Sequence, residues 1–221
     1  MENERPSFEE MAEQLRKPTG NLGSSVGDSM NRSNEPMYQQ VLDHMQLKSG
    51  EHVLEIGFGN GKLFQKLFAT ADHLQIAGID YSLDMVQEAE QNNAQAISSG
   101  SLELRQGNSD SIPFPDNSFD KVFCCNVIYF WENPADHLKE IYRVLKPGGI
   151  FYVGFRNRKT MSAFPFTQFG FILYEEDEWK KILEENNFKP TTTLTSNQVL
   201  EIEGNRFDLV SHCIASVKNS R

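Results

Sequence analysis

The chain has 221 residues, of which 31 are acidic and 21 basic, for a net charge of -10. That length buries one substantial core and predicts a single domain, and the charge repels a nucleic-acid backbone; the closest basic groupings, Arg156/Arg158/Lys159 and Lys180/Lys181, are too short to track a polyanion. The polar start, Met1 to Gly20, and every later run lack the apolar length of a leader or a membrane span, which predicts a cytoplasmic protein.

Residues 1–35 are rich in Glu, Ser, Asn and Gly with little apolar periodicity, which predicts a mobile first part and a later part that forms a lid or arm. Order is expected from Pro36, with the folded domain over 36–221. A helix is predicted from Pro36, carrying Met37, Val41, Leu42 and Met45, and Lys48-Ser49-Gly50 stops it. His52 to Ile56 reads as a strand, followed by a glycine-rich turn and a helix over Lys62 to Ala69. Leu74 to Ile79 is a second strand; Ser82 caps a helix running to about Ala94; Leu102 and Leu104 alternate with polar neighbours in a third strand. Phe119 to Val127 is a strongly apolar fourth strand, Pro134 to Leu145 an amphipathic helix, and Lys146-Pro147-Gly148-Gly149 ends that helix before a fifth strand, Ile150 to Phe155. A helix over Glu175 to Asn187 follows, then two β-prone runs, 189–195 and 207–217, that should pair as a hairpin. The rhythm predicts an α/β fold: a Rossmann-like, doubly wound, mostly parallel seven-stranded sheet with a C-terminal antiparallel hairpin and a ligand crevice at the strands' C-terminal ends. Cys124 and Cys125 are adjacent on a strand and point to opposite faces, so they cannot chelate one metal; with Cys213 they read as buried, reduced thiols, and no metal is expected.

The strongest local signal is Val53-Leu-Glu-Ile-Gly-Phe-Gly-Asn-Gly-Lys-Leu63, which sets three glycines between a strand and a helix, where backbone can turn tightly and approach a ligand. A dinucleotide fingerprint needs glycine where Lys62 stands, which demotes hydride chemistry. Spaced as Glu55-x-Gly57-x-Gly59-x-Gly61, the turn resembles the first motif of class I S-adenosylmethionine-dependent methyltransferases, and the resemblance runs from about residue 36 to 156. Ile112-Pro-Phe-Pro-Asp-Asn-Ser-Phe-Asp120 and Arg143-Val-Leu-Lys-Pro-Gly-Gly149 look like the small-molecule branch that includes ubiquinone-biosynthesis enzymes.

The resemblance implies S-adenosylmethionine as cofactor, held by Glu55, Gly57, Phe58, Gly59 and Gly61 of the turn. Asp80, at the end of the second strand, would accept hydrogen bonds from the ribose, with Tyr81 and Met85 against the adenine. Asn108, beside Ser109, stands where the family commonly has an acid that contacts the adenine amine; its amide oxygen can still accept. Asn126 is the candidate for the cofactor's amino-acid end. The branches that methylate amide or adenine nitrogens carry prolines where this chain has Val127 and Ile128, which with the acidic charge argues for a small-molecule acceptor and against nucleic acid.

Candidate acceptor residues are Tyr129 and Trp131, as an aromatic wall, with Phe130 read as core. Phe164, Phe166, Phe169, Phe171 and Tyr174 crowd a segment, about 156–174, where this fold often inserts a lid, and tilt the expectation towards an apolar or aromatic pocket. Tyr38 closing over the cofactor, and Arg32 or Arg156 binding a carboxylate, complete the set; His137 reads as a surface residue and no base is assigned. The rival readings are a catalytically silent cofactor-binding subunit supporting a partner enzyme and an aminopropyl transferase.

Overall fold

A computed structural model describes residues 6–202 and 205–219. Residues 1–5, which belong to the predicted arm, lie outside the described residues. Seven strands form one sheet in the order β3-β2-β1-β4-β5-β7-β6. They are β1 (His52–Ile56), β2 (Gln75–Asp80), β3 (Leu102–Gln106), β4 (Phe119–Cys125), β5 (Leu145–Arg156), β6 (Phe188–Ile202) and β7 (Asn205–Lys218). The first five run parallel; β7 pairs antiparallel with β5 and β6 antiparallel with β7. This is the predicted doubly wound sheet with its terminal hairpin, the hairpin strands being longer than the β-prone runs.

Side chains alternate across the sheet and feed two cores. Leu54 and Ile56 pack on one face with Phe151, Trp179 and Leu183; Val53 packs on the other with Phe123, Tyr38 and Val41. Around the sheet lie α1 (Phe8–Arg16), α2 (Gly20–Met45), α3 (Phe64–Phe68), α4 (Leu83–Asn92), α5 (Ala94–Ser98), α6 (Pro134–Val144), α7 (Arg158–Met161) and α8 (Glu176–Glu185). Among the described residues no helix is long and apolar enough to cross a membrane.

The N-terminal segment departs from the sequence expectation. Helix does not begin at Pro36: α2 starts at Gly20 and carries Pro36 inside it, and α1 precedes it. α1 is opened by a capping box in which Ser7 and Glu10 satisfy each other's backbone N–H groups. The glycines that suggest a loop are contact points instead. A Cβ on Gly27 would lie 3.2 Å from Met85 Sδ, and one on Gly23 2.7 Å from the Pro18 carbonyl carbon. Smaller differences follow the same local chemistry: the first crossover helix is only Phe64–Phe68, and Asn93 splits the next into α4 and α5. Lys146-Pro147-Gly148-Gly149 lies within the irregular start of β5.

Candidate functional site

The C-terminal ends of β1, β2 and β4 open into a crevice of about 380 Å3, within the range of small-molecule and cofactor sites. Its floor is the glycine turn after β1. Gly57, Gly59 and Gly61 have φ of 74°, 58° and 68°, a region that side chains rarely adopt. At Gly57 the need is also spatial, since a Cβ there would sit 2.5 Å from Val127 Cγ2. Gly57 N–H donates to Ile79 O at 2.8 Å, which fastens the turn to β2.

Asp80 ends β2 with its carboxylate inside this turn. Its Oδ2 accepts from Gly59 N–H at 2.8 Å and its Oδ1 from Ser82 N–H at 2.9 Å. Burial pushes its carboxyl up to about 6, against the backbone N–H groups that hold the charged form. Glu55 is 5% exposed and accepts from the Tyr38 hydroxyl at 2.8 Å. Burial pushes its carboxyl up to about 8, against the Tyr38 hydrogen bond, with the nearby Asp80 charge adding to the rise.

The structure brings most of the predicted residues together. Glu55, Gly57, Phe58, Gly59, Asp80, Tyr81, Met85, Asn108, Ser109, Asn126, Tyr38 and Trp131 all line the crevice. Gly61 lies beyond it and packs the turn on α4, where a Cβ would meet Ala89 Cβ at 2.7 Å. Tyr81 is 46% exposed at the rim under Lys17 Nζ, and Asn108 Nδ2 donates to Asp110 Oδ2 at 2.9 Å. Asn126, at φ 57°, holds the far end, donating from Nδ2 to Asn34 Oδ1 at 2.9 Å.

Several placements correct the sequence expectations. Tyr129 does not face the crevice. It is 1% exposed, and its hydroxyl accepts from Arg156 N–H at 2.6 Å and lies 3.0 Å from Asn126 Oδ1. The three-residue turn Ile128–Phe130 rotates the pair so that Phe130, expected in the core, lines the crevice beside Trp131. Arg156 also lies behind the lining, buried, with Nη2 donating to Ser33 O at 2.7 Å. Arg32 is exposed and outside the lining. His137 is no surface residue: it lines the crevice, 6% exposed, with Nδ1 2.7 Å from Ser109 Oγ and its ring stacked on Trp131 at 4.7 Å. Burial lowers its pKa. The aromatic segment lies off the crevice lining: Phe164 stacks on Phe166 and Phe207, Phe171 backs Tyr129 and Phe130, and Phe169 is 41% exposed.

The N-terminal segment, expected as an arm or lid, covers the crevice as two helices whose lining residues sequence reasoning did not name. Leu15 and Arg16 of α1, Pro18, and Gly27, Met30, Asn31 and Asn34 of α2 close the crevice from above. The cover is tied to both walls. Gly20 N–H donates to Asp84 Oδ2 at 2.7 Å, Ser82 Oγ to Pro18 O, Asn31 Nδ2 to Asn60 Oδ1 at 2.7 Å, and Lys62 Nζ pairs with Asp28 at 2.6 Å. On the opposite wall Arg16 pairs with Glu132 at 3.2 Å. Among the described residues no cluster of three or more His, Cys, Asp or Glu could hold a metal ion.

A glycine turn after β1, a carboxylate at the end of β2 and a far end walled by Phe130 and Trp131 are the features of a Rossmann-like nucleoside-cofactor site. The Methyltransferase domain family model matches residues 54–153. The chain is 31% identical over 124 residues to the uncharacterized methyltransferase YdaC of Bacillus subtilis, covering 56% of this chain and 66% of that protein. It is 29% identical over 184 residues to the demethylmenaquinone methyltransferase of Symbiobacterium thermophilum, covering 80% of this chain and 70% of that one. The match spans about half the length of other relatives, 47% for a second demethylmenaquinone methyltransferase, from Lactiplantibacillus plantarum. Among solved structures, the methyltransferase in complex with the Haloferax volcanii Trm112 methyltransferase activator superposes with a TM-score of 0.77 at 20% identity, covering 90% of this chain and 95% of that one. A Haemonchus contortus phosphoethanolamine N-methyltransferase, solved with S-adenosylhomocysteine, gives 0.71 at 16% identity over 98% of this chain and 61% of that one.

The chain belongs to the class I S-adenosylmethionine-dependent methyltransferases, in the branch that includes the quinone-biosynthesis enzymes. The residues present fit that cofactor: the Gly57 cradle leaves no room for a Cβ, and the buried Asp80 carboxylate has no cationic partner among the described residues.

Proposed function

We propose that the protein transfers the methyl group of S-adenosylmethionine to a small apolar or aromatic acceptor that enters beside Phe130 and Trp131. The observation that carries this reading is the enclosed crevice itself. Its glycine floor and Asp80 suit a nucleoside, and its far end is walled by two rings and closed by α1 and α2. The relatives named as demethylmenaquinone methyltransferases support a ring acceptor, and the net charge of -10 speaks against nucleic acid.

When bound, the cofactor supplies an activated methyl group on a sulfonium. The chain's task is to bind, orient and exclude water. Asp80 would hold the ribose hydroxyls; Asn108 and Ser109 would meet the base; Asn126, oriented by Asn34 and Tyr129, would hold the amino-acid end. The ion pairs and hydrogen bonds of α1 and α2 keep the crevice covered while the acceptor is aligned. The test is incubation with S-adenosylmethionine labelled in the methyl group and a panel of quinols, phenols, amines and thiols. Transfer to ring acceptors supports the proposal; transfer confined to nucleic acid or protein refutes the small-molecule reading.

A further inference from the structure

The sheet order carries an implication for charge. Across the crevice the strands run β3, β2, β1, β4, each about 4.8 Å from the next. Asn108 follows β3, Asp80 ends β2, Glu55 lies on β1 and Asn126 follows β4. A ligand laid across these ends with its base at Asn108, ribose at Asp80 and amino-acid end at Asn126 places its middle, the sulfonium, over β1. Glu55 is the carboxyl at that point. It lines the crevice, is 5% exposed and has one hydrogen-bond partner, the Tyr38 hydroxyl.

No cation among the described residues neutralises it. The groups facing it are Tyr38 from α2, Cys124 and Cys125 from β4 and Asp80 from β2, all neutral or negative. Arg16, the one Lys or Arg on the crevice lining, is paired with Glu132. A carboxyl with no counter-ion at this depth holds its proton, and a fixed positive charge placed against it removes that proton.

We propose that Glu55 is the counter-ion of the cofactor's sulfonium: it is protonated in the free protein, releases its proton when the cationic donor binds, and takes one up again when the donor becomes a neutral thioether. The proposal rests on the methyltransferase reading above. Its balance is simple. Binding sends one proton from Glu55 to water; methyl transfer breaks the S–CH3 bond as the methyl carbon bonds to the acceptor's nucleophilic atom, whose own proton, where it carries one, goes to water, and the electron pair left on sulfur removes the charge that held Glu55 ionised, so Glu55 takes a proton back from water. The consequence is a crevice that prefers the donor to its product. Burial holds the Glu55 carboxyl at about 8, so at pH 7 most of the free protein carries the proton.

The test is calorimetric titration of the full chain at pH 7 with S-adenosylmethionine and, separately, S-adenosylhomocysteine, in two buffers of different ionisation enthalpy. Both compounds carry the same amino acid and nucleoside, so the difference in protons released isolates the sulfonium. The expected result is close to one extra proton released with the donor, and a donor-over-product preference that falls about tenfold in Glu55→Gln, which keeps an acceptor for Tyr38; tenfold corresponds to about 1.4 kcal/mol. Equal proton release for the two compounds in the wild-type protein, or extra release that survives in Glu55→Gln, overturns the proposal while leaving the cofactor reading intact. Failure of both compounds to bind the wild-type protein overturns both.

Discussion

Substituting alanine for Gly57 tests the glycine turn at its tightest point. At φ 74° the new side chain lies in the left-handed region, which costs an L-residue about 1–2 kcal/mol. Its Cβ would also lie 2.5 Å from Val127 Cγ2, and overpacking of this kind costs about 1–3 kcal/mol. Gly57→Ala should therefore lose about 2–5 kcal/mol of stability, a large share of the roughly 5–15 kcal/mol of a typical domain. Only the second contribution depends on Val127. In the Gly57→Ala/Val127→Ala protein the overlap disappears and the backbone strain stays, so the double-mutant cycle should show a favourable coupling of about 1–3 kcal/mol. Urea denaturation at pH 7.5 measures all four corners. Strict additivity of the two substitutions would refute the placement of Val127 over the turn.

Other outcomes follow from the charges and rings of the crevice. The folded-state pKa of Glu55 is raised, so the free protein binds more protons than the unfolded chain below about pH 8, and stability falls as pH rises towards that value. Between pH 7 and 8 urea denaturation should show a loss of about 1 kcal/mol from this group, absent in Glu55→Gln. Asp80→Asn removes the charged acceptor and should weaken S-adenosylmethionine binding about tenfold to a hundredfold, the effect of a charge-assisted hydrogen bond; in the wild-type protein affinity should fall as pH drops through about 6. Phe130→Ala should raise the acceptor KM about tenfold and leave the cofactor Kd within about twofold, whereas the half-exposed Phe169, outside the crevice lining, should tolerate alanine with little change in either constant.

Those parts of the fold that repeat a period were legible from sequence. Alternating apolar runs marked the strands, and Gly57, Gly59 and Gly61 between β1 and α3 marked the crevice floor, because glycines there let the backbone turn tightly and come close to a ligand. What escaped is tertiary. Gly20, Gly23, Gly27 and Pro36 are poor helix formers, and α2 forms because its small residues let it lie against Met85 and Pro18. Val26, Met30, Ser33 and Met37, spaced 4, 3 and 4 apart, were the helical trace there, and Ser7 with Glu10 was the start signal of α1. His137 was misplaced for a related reason. Its polarity suggested solvent, yet it stands four and seven residues before Ile141 and Val144 on the buried stripe of α6. The exchange of Tyr129 and Phe130 had no such trace, since a single tight turn decides which of two adjacent rings faces the cavity.

The central claim, that this crevice holds S-adenosylmethionine through Asp80, is tested most directly by calorimetric titration of the wild-type and Asp80→Ala proteins with S-adenosylmethionine and with NADH. The account predicts micromolar binding of S-adenosylmethionine alone, abolished in the variant; binding of NADH alone, or S-adenosylmethionine affinity unchanged by the substitution, would contradict it.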